Sequence, residues 1–358
     1  MTRRSLPLLQ AVPESALPPL QARWLTAVLD DPSLPDEVHA TCDDCAMIDA
    51  SAPPGAMVFS PDTRCCTFLP TLANFLVGGA LRDAAPIAAA SVRRRIADAD
   101  GLSPLGLLAD HAFVSSHHTD VARFGRDASL RCPHYEPVEG RCGVWAWREA
   151  TCATWFCKHT RGERSKALWN RLHQLLARLE RAVAWHCALA LDIPPEAIAR
   201  LAPLDQPHGQ PRADVLVSAS TTWGRWAADF DGYFIACTAV AESLSPGDAL
   251  ALGGAEALAL ARTVRLAQAQ LLDEVLPSRL VLGRAQVVGL TADAVRVQGY
   301  SHLDPLTVPR VLFDQLHHFD GRPTDAALAA ATVAAGEEVP ADAVAMLVDF
   351  GVLARPTG

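Results

Sequence analysis

The stretch SKALWNRLHQLLARLERAVAWHCALA, residues 165–190, sets the architecture. Leu168, Leu172, Leu175, Leu179 and Val183 recur at steps of three and four, which draws one apolar stripe along a helix. Arg171, Arg178 and Arg181 fall off that stripe, and Pro194 and Pro195 close the pattern. Cys187 lies within it and reads as a small core residue, as does Cys237 in a later apolar segment.

Working outward, more helices follow. Leu17 to Leu29 carries Leu20, Trp24 and Val28 at spacing four, and Pro32 and Pro35 end it. The stretch from Thr71 to Ala97 reads as helical, broken near Gly78-Gly79 and at Pro86, with Arg93-Arg94-Arg95 as a solvated face. Thr222 to Ala241 is helical and aromatic-rich, with Trp223, Trp226, Phe230, Tyr233 and Phe234 as core. Pro246-Gly247-Asp248 opens a long helix to about Leu272. Gln206 to Pro211 is a linker or surface loop.

The last 75 or so residues change character. Gln286–Leu290 and Ala294–Gln298 form a hairpin around Thr291-Ala292-Asp293. Val308, Leu312, Leu316 and Phe319 give a helical stripe that Asp320-Gly321 closes. Thr324 caps an alanine-rich helix ending at Gly336, and Pro340 begins a last helix that Gly351 stops.

Composition narrows the function. Half of the 358 residues are hydrophobic, a fifth are charged and the net charge is −9, so the chain is globular and a poor general ligand for nucleic acid or an anionic membrane. Pro7, Pro13, Pro18 and Pro19 interrupt the start, so no signal peptide is read. The apolar run Ala249–Ala261 is too short to span a bilayer, and a cytoplasmic location is expected. Lys158 and Lys166 are the only lysines, and neither follows a glycine, which excludes a P-loop. No Gly-x-Ser-x-Gly and no His-Glu-x-x-His occurs.

Cysteine placement is the informative feature. Eight of the ten cysteines lie between positions 42 and 157: Cys42, Cys45, Cys65, Cys66, Cys132, Cys142, Cys152 and Cys157. In a reducing compartment such a cluster points to metal binding before disulfides. Cys42 and Cys45 form a C-x2-C turn, which folds two thiolates to one side. Cys65 and Cys66 point in opposite directions in extended chain, so they serve two metals, or one ligates while the other packs or reacts. The second group follows C-x9-C-x9-C-x4-C, a set able to hold tetrahedral zinc or an iron–sulfur cluster. All-cysteine ligation with a vicinal pair tips the balance towards a cubane (4Fe-4S) cluster. His134 and His159 sit beside candidate ligands and read as hydrogen-bonded loop histidines. His111, His117, His118 and Asp120, between the two groups, read as surface or loop polar residues.

These residues resemble the YkgJ-like cysteine-cluster proteins, a zinc- or iron-chelating domain family. The pattern is a cysteine pair, then the Cys65-Cys66 doublet, Cys132-Pro133-His134-Tyr135, Gly140-Arg141-Cys142 and Arg148-Glu149-Ala150-Thr151-Cys152. It covers about positions 38–160. The loop from Ala46 to Arg64 is longer than usual, Arg148-Glu149 stands for an Arg-Pro, and Cys157 is additional. The family includes flagellin lysine N-methylases with an expected iron–sulfur cluster, so the resemblance implies protein modification as one function. The C-terminal strand–helix–helix–helix–strand pattern is similar to a winged-helix module of PqqD type, which implies peptide binding. Three arginines against seven acidic residues from Val308 to Gly358 give −4, the wrong sign for contact with phosphates.

The expected fold is mainly α, with four parts. Residues 1–35 are an N-terminal helical segment and 36–160 the loop-rich cysteine-cluster, metal-binding domain. Residues 161–282 are a helical support, and 283–358 a small winged-helix-like α/β module. The expected function is a metal-binding protein carrying an iron–sulfur cluster or zinc, acting in protein or peptide modification. The alternatives are a lysine N-methylase-like enzyme or a non-catalytic metal carrier or assembly protein. The expected partner is a protein or peptide held by the C-terminal module, not nucleic acid or membrane.

Overall fold

A computed structural model describes residues 17–31, 34, 35, 37, 45–48, 58–83, 86–109, 121–201, 222–273 and 275–356. The described chain is mainly helical with small sheets. Its helices are α1 (Pro19–Leu25), α2 (Asn74–Asp83), α3 (Pro86–Ala97), α4 (Ala150–Thr154), α5 (Gly162–Ala190), α6 (Pro195–Leu201), α7 (Phe230–Ser243), α8 (Pro246–Leu252) and α9 (Gly254–Leu272). The long helix read from residues 165–190 is α5, the spine of the molecule. Leu168, Leu172, Leu175, Leu179 and Val183 are fully buried along it, and the core they belong to runs from Leu17 to Leu271. Cys187 and Cys237 are core residues, and the Cys187 thiol donates to the Cys237 carbonyl at 3.4 Å.

Gly78-Gly79 does not break α2. A Cβ on Gly78 would lie 1.8 Å from the Phe234 carbonyl oxygen, and one on Gly79 would meet the Trp147 ring at 2.3 Å. The glycines therefore let α2 approach α7 and Trp147 closely, and the Thr238 hydroxyl of α7 bonds the Phe75 carbonyl of α2 at 2.8 Å. The helix read at Leu17–Leu29 is shorter, because it tightens into turns after Leu25. The helix expected from Pro246 to Leu272 is two, parted at Gly253–Gly254, where Gly254 has φ +68°. The Ser245–Asp248 capping box starts the first of them.

The arginine run is not one solvated face. Arg93 pairs with Asp231 at the surface. Arg95 is only 2% exposed, with its guanidinium on Asp100 and on the Leu108 carbonyl.

Beyond α9 lie β6 (Arg279–Leu282), β7 (Gln286–Leu290), β8 (Ala294–Gln298), β9 (Leu306–Pro309), α10 (Arg310–Phe313), β10 (Asp320–Pro323), α11 (Thr324–Ala335), α12 (Ala341–Asp349) and β11 (Leu353–Ala354). Strand labels below β6 belong to two-residue pairings, β1 (Leu72–Ala73), β2 (Leu102–Ser103), β3 (Gly106–Leu107), β4 (Tyr135–Glu136) and β5 (Arg141–Cys142). The hairpin read at Thr291-Ala292-Asp293 joins β7 and β8, and β9 completes an antiparallel sheet in the order β7-β8-β9. A second sheet has the order β10-β6-β11. This region has its own core, which includes Leu280, Val295, Val297, Phe319, Leu347 and Phe350. Val308 belongs to β9, not to a helical stripe: Leu306 and Val308 are buried while Thr307 between them is exposed, the alternation of a strand. Asp320-Gly321 starts a strand rather than closing a helix. Thr324 makes no capping bond, since its hydroxyl donates to the Pro277 carbonyl at 2.6 Å. Gly336 ends α11 in the left-handed conformation, as read.

A buried ion-pair joint helps tie the two cores. Arg161 and Arg164, at the start of α5, both pair with the buried carboxylate of Asp349, the latter at 3.0 Å. Gly162 has φ +49°, and a Cβ there would lie 2.3 Å from the Asp349 carbonyl oxygen. No helix among the described residues is long and apolar enough to cross a membrane.

Candidate thiolate site and the adjoining cleft

The first cysteine group is built from turns. Cys45 begins one, with the Ile48 amide donating to its carbonyl at 3.0 Å. Residues 61–67 form a second. It is pinned from both ends: the Thr63 hydroxyl donates to the Gly125 carbonyl and the Gly125 amide donates to the Thr67 hydroxyl, each at 2.8 Å. The Cys132 amide then donates to the Cys66 carbonyl at 2.8 Å. Two cysteine groups far apart in sequence are thereby neighbours in space.

The second group hangs on a hairpin and a short helix. Tyr135 opposes Cys142 in the β4–β5 pair, which Gly140 turns with φ +63°. The Tyr135 hydroxyl donates back to the Pro61 carbonyl at 3.0 Å. Glu149 caps α4, its carboxylate accepting from the amides of Thr151 and Cys152 at 2.6 and 3.0 Å. Arg148 stacks on Trp145 at 3.6 Å and donates to its carbonyl.

Burial dominates the acidity of these thiols. Burial pushes Cys152 well up, and charge on Glu149, Cys142, Cys132 and Cys65 adds to the shift. Cys157 is raised by burial and then by Cys65, with Cys45 contributing less. Cys132 is pushed up to about 11 by burial, against the opposing pull of the His134 amide and Arg95. Cys65 adds to the upward shifts of Cys132, Cys152 and Cys157, behind burial in each case. Met47, Phe59 and Leu303 form a small apolar cluster on which Cys45, Cys65 and Cys157 pack.

Among the described residues no disulfide forms, and no three His, Cys, Asp or Glu side chains converge closely enough to hold a metal ion. Cys42 lies outside the described residues, as do His111, His117, His118, Asp120 and the Gln206–Pro211 loop. The donor chemistry nonetheless suits a soft metal. Buried thiols crowding one another disfavour ionisation, and a bound cation reverses that by taking them as thiolates. Cys45, Cys65, Cys66, Cys132, Cys142, Cys152 and Cys157 are the described residues of the two groups that bring a thiol, not a disulfide, to this role.

Neither histidine turns to the thiols. His134 is buried between the Ser91 hydroxyl at 2.9 Å and the Arg95 guanidinium at 3.4 Å. Burial, then Arg95, lowers its pKa to about 3, so it is neutral and accepts from Arg95. His159 bonds the Tyr300 hydroxyl at 3.2 Å, and burial followed by Lys166 lowers its pKa to about 3.

Beside Cys157 a cleft of about 290 Å³ opens between α5 and the C-terminal region, with Trp155, Phe156, Lys166, Asn170, Gln298 and Tyr300 among its walls. Behind it Asp304 accepts from the His159 amide at 3.1 Å and from the Tyr300 hydroxyl. Burial, then Asp304, raises the Tyr300 phenol. Sequence reasoning missed Tyr300, Asp304 and Glu149. Lys166 carried a signal, as one of two lysines in the chain.

No family model matches the chain, and neither a curated protein nor a solved structure matches it.

Proposed function

We propose that the chain is a thiolate metal-binding protein of the cytoplasm. Zinc or a 4Fe-4S cluster would be held by cysteines drawn from both groups: Cys42, Cys45, Cys65, Cys66, Cys132, Cys142, Cys152 and Cys157. The observation that carries this reading is that the two cysteine groups adjoin: the Cys132 amide donates to the Cys66 carbonyl at 2.8 Å, and Cys45, Cys65 and Cys157 pack on one apolar cluster. Zinc there supplies a structural or exchangeable centre, and a cluster supplies redox chemistry. The YkgJ-like resemblance supports the same reading.

Anaerobically purified protein should contain zinc, or iron with acid-labile sulfide and a visible absorption. Cys65→Ser and Cys66→Ser should each lower that content, and Cys187→Ser should not. Full retention in both doublet variants removes the doublet from the site. Metal-free protein from metal-replete cells overturns the reading.

A second reading adds a partner. The C-terminal region would be a winged-helix-like module that holds an extended peptide for protein modification. Strand β7 supports it, because it is a sheet edge with Val287, Val288 and Leu290 exposed, a surface suited to strand addition. A lysine N-methylase-like activity and a metal carrier or assembly role are the two ends of this reading. Turnover on a protein lysine separates them.

A further inference from the structure

The cleft beside Cys157 has a chemistry separate from the thiols. Lys166 is half-buried in its wall, and its ammonium donates to the Tyr300 carbonyl at 3.3 Å. An ammonium has three donors, so two remain. The carboxylates nearest the cleft are engaged elsewhere. Asp304 takes the His159 amide and the Tyr300 hydroxyl. Glu37 takes the Trp169 indole at 2.8 Å and the Thr160 amide. Among the described residues Lys166 has no ion-pair partner, and Asp and Glu are missing from the cleft walls.

The other polar side chains on the wall are Thr154, His159, Asn170, Gln298, Ser301 and His302. Trp155, Phe156 and Tyr300 give the cleft an aromatic flank. Phe156 is braced on Trp169 with ring centres 4.5 Å apart, and the half-exposed Trp155 sets its edge on Phe124 at 5.8 Å.

We propose that this cleft binds a small monocarboxylate with an apolar body, with Lys166 as its charge partner. One ammonium with neutral amide and hydroxyl donors suits a single negative charge. A phosphate dianion is better met by an arginine fork or a second permanent cation, and Lys166 is the one lysine or arginine in the walls. The aromatic flank suits a flat or branched apolar group, and the volume admits a ligand near the small end of the usual range. A free aromatic acid and the C-terminal carboxylate of a peptide share this chemistry.

Calorimetric titration of the full chain tests it with benzoate, N-acetylphenylalanine, N-acetylphenylalanine amide and inorganic phosphate. At least one acid should bind with Kd of about 1 mM or tighter, and the amide about tenfold more weakly. The ratio of benzoate to N-acetylphenylalanine affinity tells free acid from peptide terminus. Lys166→Met should weaken the acid about tenfold and Lys166→Arg should restore most of it. Asn170→Asp places a carboxylate on an exposed wall position where folding is undisturbed, and should weaken the acid about fivefold. Equal binding of acid and amide, phosphate binding as tight as the acid, unchanged acid binding in both Lys166→Met and Asn170→Asp, or no binding of either acid at about 10 mM would each overturn the proposal. Metal content measured on the same samples keeps this result distinct from the thiolate reading.

Discussion

The spine helix α5 and the cysteine segment beside it are held by different forces. Along α5 every residue of the stripe from Leu168 to Val183 is fully buried, so apolar burial is the main source of its cohesion. Around the thiols the separate apolar cluster has three buried members, Met47, Phe59 and Leu303. There the chain is held by backbone bonds between distant turns, by Thr63 and Thr67 on Gly125, and by the Glu149 cap. A region so dependent on single polar contacts would gain most from a cross-link, which is what the proposed soft-metal ligation would supply.

The largest expected effect lies on the apolar side of this contrast. Leu172→Ala should cost about 2–5 kcal/mol in urea denaturation followed by far-UV circular dichroism. Its metal content per folded molecule should equal that of the parent. Coupled loss of both would dissolve the distinction between the regions.

Acidification should strike the polar side. His134 and His159 have native pKa values of about 3 against an ordinary 6.5, so the unfolded chain binds more protons between those values. Their stabilising contribution is complete above pH 6.5 and is lost as pH falls, at about 1.4 kcal/mol per pH unit for each histidine. Glu180 and Glu37, raised chiefly by burial, work in the opposite direction. The comparison with His134→Gln therefore isolates one histidine: its urea midpoint should fall less between pH 6.5 and pH 5 than that of the parent. Identical slopes would mean that His134 takes no part.

The smallest effect concerns a single cap. Glu149→Ala removes the acceptor of two amides at the start of α4 and should cost about 1 kcal/mol. If the cysteine segment is locally stabilised, limited proteolysis should cut near residues 145–157 in this variant before any cut in α5. Cleavage in α5 at the same rate would contradict the separation.

The helical body was legible because its stripes are long and regular. The stripe of α5 and the β7–β8 hairpin stand where periodicity and turn chemistry put them. Gly78-Gly79 misled because a glycine in a helix looks like a break when its purpose is the close approach of a second backbone. Val308 misled because a strand residue fell by chance at helical spacing from Leu312 and Leu316. Cysteine types and spacing marked the candidate site. That the two cysteine groups adjoin was not legible, since it depends on the Cys66–Cys132 backbone bond between loops without periodicity. Asp304 and Tyr300 carried no signal because what draws them to the cleft is contact with His159, more than 130 positions away.

The shared carboxylate of Asp349 has a mechanical consequence. With Arg161 and Arg164 both fastened to it, and Arg164 also donating to the Asp273 carbonyl, the chain after α9 is clamped and not a swivel. The opposite walls of the cleft belong to α5 and to the turn at Tyr300, so the clamp fixes their span before anything enters. Cutting the chain after α9 would leave two guanidinium groups facing an empty seat. The two cores are therefore one machine part, and neither is a detachable accessory of the other.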